Sequence, residues 1–497
     1  MKLYSAQSSQ AIDQDAIQNL GIAGLLLMKR AGFFAFDILQ KTWPESRHIQ
    51  VICGTGNNGG DGYIIAQYAH IAGFEVTVLQ AGDFNKIKGD ALLALNELKQ
   101  LGIQPVPYSK ETLQDADLIV DAIFGTGLNQ PITGEIAELI EQINQTKKPV
   151  LAIDIPSGLD ANTGAILGCA VQADITCTFI THKFGLYTFQ GPEVSGNIHF
   201  SPLFIPKKLY QKQHELAQNH LLKFWLNTLP LRLASHHKGV SGTVCLVGGN
   251  STMMGAIQLA GLASLKTGAG LVKVITRQEH TIAITQAIPE LMCYPTEELL
   301  NQAGLANVMG IGPGLGLDDW GKQLFMQILD LPLNKVIDAD ALKHLATLAK
   351  EQDFPKNTHQ NWVLTPHPGE AAQLLNTNTA NVQKDRISAI KALHQKYGGV
   401  IVLKGNGSLI YDGKKMEICL AGNPGMAVGG MGDVLTGTIA TFIAQGLSLW
   451  NAACLGVSLH AHAGDVLANQ SGQPGILPSE VAQVMSQLLS YSDSPVS

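Results

Sequence analysis

The stretch Gly422-Asn-Pro-Gly-Met-Ala-Val-Gly-Gly-Met-Gly-Asp433-Val-Leu-Thr-Gly437 collects the residue types that phosphate chemistry needs. A glycine-dense loop runs into an apolar helix, with one aspartate at the junction. Glycines let backbone N–H groups turn toward a ligand, and a helix N-terminus adds partial positive charge. A carboxylate in such a place opposes anion binding unless it takes a proton. The natural donor is a hydroxyl attacking a phosphoryl group. Asp433 is therefore a candidate general base for transfer of phosphate onto a small alcohol. Three further segments fall at strand ends in this half: Gly310-Ile-Gly-Pro-Gly-Leu-Gly316, Thr365-Pro-His367-Pro-Gly-Glu370 and Lys404-Gly-Asn-Gly407-Ser408. No GxxxxGK[ST] occurs, which excludes a P-loop. An isolated His367 would read as a core histidine; its place between two prolines at a strand end points to function. His460 and His462 are two apart on a helix, do not share a face, and read as structural.

The first half carries three such loops. Gly54-Thr-Gly-Asn57-Asn58-Gly59-Gly60-Asp61-Gly62 contains GxGxxG, but Leu79-Gln80-Ala81 lacks the acidic residue of a dinucleotide fingerprint. Asp121-Ala-Ile-Phe-Gly125-Thr126-Gly127-Leu128-Asn129-Gln130-Pro131 and Asp154-Ile-Pro-Ser157-Gly158-Leu-Asp160 each follow an apolar run. A parallel sheet would bring Asn58, Asp121 and Ser157 to one rim, where three oxygen donors suit a hard cation. Asp154 at a strand end is a candidate general base, although a single such Asp is more often a cap.

The elements that must position these loops alternate between strand and helix. Strands are expected at 49–53, 75–79, 118–124, 150–155 and 175–180, with helices at 63–72, 88–101 and 134–144. A leading helix from Ser8 to about Gln40 should break near Gly21 and Gly32. Periodicity stops near Ile205, placing a boundary at about 208–222. His237-Lys238-Gly239 then leads into a second set, with strands at 271–276, 308–311, 335–338, 362–365, 400–404 and 408–411. The fold class is α/β, with two doubly wound domains at 1–212 and 222–490. The tail after Ser490 reads as disordered.

The bulk properties agree. The chain has 497 residues and a net charge of −7, against a nucleic-acid binder. No secretory signal is visible at the start, and residues 434–450 read as a buried helix rather than a membrane span. Seven scattered cysteines without CxxC spacing suggest reduced thiols in a cytoplasmic protein.

The first-half motifs GTGNNGGDG, DAIFGTGLNQP and DIPSGLDANTG, with Gly21 through Gly32, resemble the NAD(P)H-hydrate epimerase domain over about residues 5–205. The resemblance implies a Rossmann-like fold that interconverts R and S forms of NADHX and NADPHX, the hydrates of damaged nicotinamide cofactors. It implies that Asn57, Asn58, Gly59, Gly60 and Asp61, with Gly125 to Pro131, contact the hydrate. Asn58, Asp121 and Ser157 would hold potassium, and Asp154 would act on the ring as acid–base. Lys183 either faces this site or is a surface lysine.

In the second half TPHPGE, VLKGNGS and GNPGMAVGGMGD together resemble the ADP-dependent NAD(P)H-hydrate dehydratase domain, a ribokinase-like fold, over about residues 225–490. There, phosphoryl transfer from ADP, with magnesium, would turn the hydroxyl on ring carbon C6 into a leaving group. Asp433 would take its proton. Lys404, Gly405, Asn406, Gly407, Ser408 and Gly432 would bind the AMP portion; Ala256, Gly316, His367 and Asp433 would contact the S hydrate. The sequence departs from the family at Val428, where a small hydroxyl residue is common. The expected partners are small molecules, with neither nucleic acid nor membrane, and assembly as a homo-oligomer. ADP against ATP, and NADHX against NADPHX, stay open. The competing readings are a ribokinase-type small-molecule kinase, a nucleotide-binding scaffold, which intact Asp154 and Asp433 disfavour, and an NAD-dependent dehydrogenase, weakened by Asp61.

Overall fold

The computed structural model describes residues 1–109, 116–231, 235, 237–351 and 361–490. The expectation for the tail falls on 491–497, outside them. The chain divides into two compact units, Met1–Ala217 and Gln218–Ser497.

In the first unit seven strands run parallel in the order Val106–Pro107, Glu75–Gln80, His48–Cys53, Leu118–Ala122, Val150–Ile153, Ile175–Phe179 and Asn197–Ser201. The central strands are apolar on both faces because helices cover both. Strand order reverses between His48–Cys53 and Leu118–Ala122, so their C-terminal loops diverge and leave a crevice. The expected leading helix breaks at Gly21, in the left-handed region at φ 66°, giving helices Ala6–Leu20 and Gly24–Thr42. It does not break at Gly32, which lies mid-helix. A Cβ there would meet Ile64 at 2.5 Å, so Gly32 is a contact point between helices rather than a breaker. The helix expected from Tyr63 begins at Asn57, so most of the presumed glycine loop is helical. Its glycines permit close packing: a Cβ at Gly59 would lie 2.0 Å from the Gly54 carbonyl.

Among the described residues of the second unit, nine strands run in the order Leu291–Pro295, Leu271–Thr276, Thr243–Val247, Val308–Ile311, Asn334–Ile337, Trp362–Leu364, Val400–Leu403, Ser408–Tyr411 and Met416–Cys419. The first seven are parallel and the last two antiparallel. Order reverses between Thr243–Val247 and Val308–Ile311, again opening a crevice. The helix Met431–Ala444 is apolar all round and buried beyond its first turn. Both units are doubly wound α/β. Among the described residues no helix is long and apolar enough to cross a membrane.

Candidate active sites

In the first unit a cavity of about 590 Å³ opens at the strand-order reversal. Asn57, Asn58 and Asp61 line it from the start of the helix Asn57–Ile71, Gly125 to Gln130 from the loop after Leu118–Ala122, and Asp154 and Lys183 from beyond. Lys183 is buried, donating to Asp154 Oδ1, to Thr178 Oγ1 at 3.2 Å and to the Phe179 carbonyl at 2.6 Å. Asp154 is a non-glycine residue in the left-handed region, at φ 66°. Asp61 faces the same space with no hydrogen-bond partner among the described residues. Burial pushes its carboxyl well above the usual range, and the Asp154 and Asp13 charges push it further. The site thus holds one carboxyl group bonded to a lysine and one whose ionisation burial and like charge oppose.

Behind the cavity Asp121 is fully buried. It accepts from Ser157 Oγ at 2.6 Å and from Ser157 N at 2.8 Å. Ser157 Oγ in turn accepts from Phe124 N at 2.8 Å and lies 3.3 Å from the Phe124 carbonyl. Asn58 packs on Gly125, next along the chain, and its Nδ2 is buried without a partner. Burial pushes the Asp121 carboxyl up to about 6 against the Ser157 hydrogen bonds. A buried carboxylate, a hydroxyl, a carbonyl and an orphaned amide are therefore gathered with no cationic side chain among them.

In the second unit the helix Met431–Ala444 starts at Gly430, left-handed at φ 101°, without a side-chain cap. The Met431 N–H reaches the Val428 carbonyl at 3.4 Å, and the Gly432 and Asp433 N–H groups are left for an anion. Asp338 lies beneath, accepting from Lys404 Nζ at 2.7 Å, Thr365 Oγ1 at 2.8 Å and Thr436 Oγ1 at 3.0 Å. Burial works against its charge, but Lys404 and these bonds hold it below the usual carboxylate range. A Cβ on Gly432 would sit 3.2 Å from both Asp338 Oδ2 and Lys404 Nζ, so Gly432 lies directly over this pair. Asp433 faces a different balance. Burial first, then the charge of Asp338, pushes its carboxyl up to about 7 despite Lys404. A base that titrates there is matched to neutral pH.

His367 caps the helix Pro368–Leu375: its Nδ1 accepts from Gly369 N at 3.0 Å and Glu370 N at 3.4 Å, while Glu370 Oε2 accepts from His367 N at 2.8 Å. The tautomer follows, because an accepting Nδ1 leaves the proton on Nε2. Gly316 N donates to Asp340 Oδ2 at 3.0 Å, and a Cβ at Gly316 would meet Asn250 Nδ2 at 2.4 Å.

Two family descriptions match the chain: NAD(P)H-hydrate dehydratase over residues 244–487, and YjeF-related protein N-terminus over residues 24–185. The bifunctional NAD(P)H-hydrate repair enzyme Nnr of Coxiella burnetii is 40% identical over 486 residues, covering 96% of this chain and 97% of that protein. The chain belongs to the bifunctional NAD(P)H-hydrate repair enzymes. The Escherichia coli member is 39% identical, over 96% of this chain and 92% of that protein. Among solved structures, a ribokinase-like superfamily protein from Enterococcus faecalis is 28% identical, with a TM-score of 0.52, covering 57% of this chain and 99% of that one. ADP/ATP-dependent NAD(P)H-hydrate dehydratase from Bacillus subtilis, co-crystallised with ATP and Mg2+, is 26% identical, with a TM-score of 0.50, covering 56% of this chain and 99% of that one.

Not every residue expected at these repair sites lines them. Gly59 and Gly60 are buried in helix packing, and Pro131 is exposed outside the cavity wall. Asp121 and Ser157 lie one layer behind it. Ala256 is half-buried beside Gly314. Val428 is exposed. His460 is buried in the helix Leu449–Ser471, while His462 Nδ1 lies 2.7 Å from the Ser458 carbonyl. Sequence reasoning missed Asp13, from the helix Ala6–Leu20, which lines the cavity with its carboxyl raised by burial. It also missed Asp338, whose only signal was an aspartate ending a strand in the catalytic half.

Proposed function

We propose that residues 1–212 interconvert the R and S epimers of NADHX and NADPHX, and that residues 222–490 dehydrate the S epimer to NADH or NADPH at the expense of ADP, giving AMP and phosphate. The observation that carries this reading is Asp433: a carboxyl at about 7, at the mouth of an uncapped helix N-terminus, over the half-buried Lys404 paired with the buried Asp338.

In the dehydratase, Asp433 takes the proton of the C6 hydroxyl as its oxygen attacks the β-phosphorus of ADP, and AMP departs. The N–H groups at Gly432 hold the transferring phosphate. Magnesium bound with the nucleotide would offset phosphate charge there. The ring-nitrogen lone pair then expels phosphate from C6, and loss of a proton from C5 restores the dihydropyridine. Lys404 to Ser408 carry the AMP portion, while Ala256, Gly316 and His367 border the hydrate. His367 serves as a donor through Nε2, since Nδ1 is engaged in capping.

In the epimerase, Asn57, Asn58 and Asp61 with Gly125 to Gln130 contact the hydrate, and Asp154, held by Lys183, handles the proton at the reacting ring. The donors at Asn58, Asp121 and Ser157 fit potassium, because a buried carboxylate without a counter-ion is joined there by neutral oxygens. Potassium held by these residues would offset the Asp121 charge and tie together the segments that follow three strands. Seven free cysteines support a cytoplasmic enzyme. Assembly as a homo-oligomer belongs to the same proposal and is read by sedimentation.

The test is recovery of reduced nicotinamide from an epimer mixture of NADHX with ADP, magnesium and potassium. Nearly complete recovery is expected. A stop after the S fraction would remove the epimerase, and no recovery at all would return the ribokinase-type kinase reading.

A further inference from the structure

Arg386 opens the helix Arg386–Tyr397 and is only 1% exposed. Its guanidinium is spent on one hairpin. Nη2 donates to the Leu403 carbonyl at 3.2 Å and the Gly407 carbonyl at 3.1 Å; Nη1 reaches the Lys404 carbonyl at 3.4 Å and Gln383 Oε1 at 2.9 Å. Two features are costly for a purely structural residue. Nε is buried without a partner, and no carboxylate pairs with the charge among the described residues. Burial lowers the group only to about 10, so it stays cationic at neutral pH.

The hairpin is the Lys404–Ser408 loop between the strands Val400–Leu403 and Ser408–Tyr411. In a planar trans peptide the C=O and N–H point in opposite directions. The Lys404 carbonyl drawn inward onto Arg386 therefore turns the Gly405 N–H outward, whereas the Lys404 N–H is taken by the Pro366 carbonyl at 2.9 Å. The Gly405 N–H meets only Ser408 Oγ, at 3.3 Å, on an exposed edge. Gly405 itself is at φ 139°, and a Cβ there would meet Arg386 Nη1 at 2.7 Å. The loop backbone can lie this close to the guanidinium only because residue 405 is glycine.

We propose that Arg386 is a positioning residue for the nucleotide: it holds the Lys404–Ser408 loop with its donors facing ADP, and places an unbalanced positive charge beneath a polyanion. This rests on the assignment of that loop to nucleotide binding. It predicts that Arg386→Lys, which keeps the charge but loses the fork, weakens ADP binding by about tenfold or more. Calorimetry with ADP on the full chain reads this directly. Steady-state dehydration of the S hydrate should show the same rise in KM for ADP, with kcat and the KM for the hydrate within about threefold, and epimerisation unchanged. Gly405→Ala, which pushes the loop off the arginine, should give the same ADP-selective loss and serves if Arg386→Lys fails to fold. Wild-type ADP affinity in either folded variant overturns the inference alone, and so does a uniform fall in kcat without a change in ADP affinity. A wild-type protein that does not bind ADP overturns the nucleotide assignment as well.

Discussion

The two aspartates proposed as catalytic, Asp154 and Asp433, occupy comparable places in comparable folds, in crevices where strand order reverses, yet their surroundings differ. Asp154 has a lysine of its own, buried and donating to its Oδ1. Asp433 has a lysine nearby, but that lysine bonds to Asp338 instead, and the Asp338 charge helps push Asp433 up to about 7. A buried ammonium bonded directly to a carboxylate holds it in place. Bonded to a neighbour instead, it leaves Asp433 able to accept and release protons near neutrality. The epimerase region thus anchors its carboxyl group, while the dehydratase region tunes a base.

The most direct way to break this contrast is Asp433→Asn. Dehydration of the S hydrate should fall by about 10²–10⁴-fold with epimerisation intact, measured separately on pure epimers. Near-normal dehydration would remove Asp433 from the chemistry. Lys183→Met should lower epimerisation by about tenfold or more and leave S-hydrate repair untouched; equal loss of both activities would abolish the division into two sites. The pH profile sharpens the comparison further. Because Asp433 must be ionised to act, kcat/KM for the S hydrate should hold above about 7 and drop about tenfold per unit below it. A flat profile down to pH 5 would contradict a tuned base. The smallest effect concerns Asp121. Its folded carboxyl, pushed up to about 6, titrates above the unfolded value of about 3.9, so its contribution stabilises at low pH and is lost as pH rises through about 6. Potassium should restore that loss, raising Tm by a few degrees at pH 8 and hardly at pH 5. In Asp121→Asn the potassium effect should vanish.

Much of this was readable in the sequence because strands buried on both faces and glycine-marked strand ends carry strong local signals. The central strands appear within a residue or two of their expected limits, and the second unit's strand at 308–311 appears as Val308–Ile311. The short strands Lys2–Tyr4, His182–Lys183 and Asn197–Ser201 were not legible, since their partners, not their composition, make them strands. The glycine run at 54–62 looked like a loop because glycine opposes helix on propensity. Tertiary packing overrides it, since only glycines let that helix lie against the Gly54 backbone. Lys183 could not be placed from sequence, because burial depends on a strand that pairs at long range. Asp13 and Arg386 were invisible for a related reason: each sits on an ordinary helix, and only the fold brings it to a site.

The left-handed backbone at Asp154 constrains how this position can change. Aspartate, asparagine and glycine enter that conformation readily, whereas alanine incurs roughly 1–2 kcal/mol there. An Asp154→Ala protein would thus confound lost chemistry with a strained turn, and Asp154→Asn is the cleaner probe. The same restriction acts over evolutionary time. A lineage that abandons epimerisation while keeping the fold should drift at this position to asparagine or glycine first, leaving a record of the lost activity in a residue that still satisfies the turn.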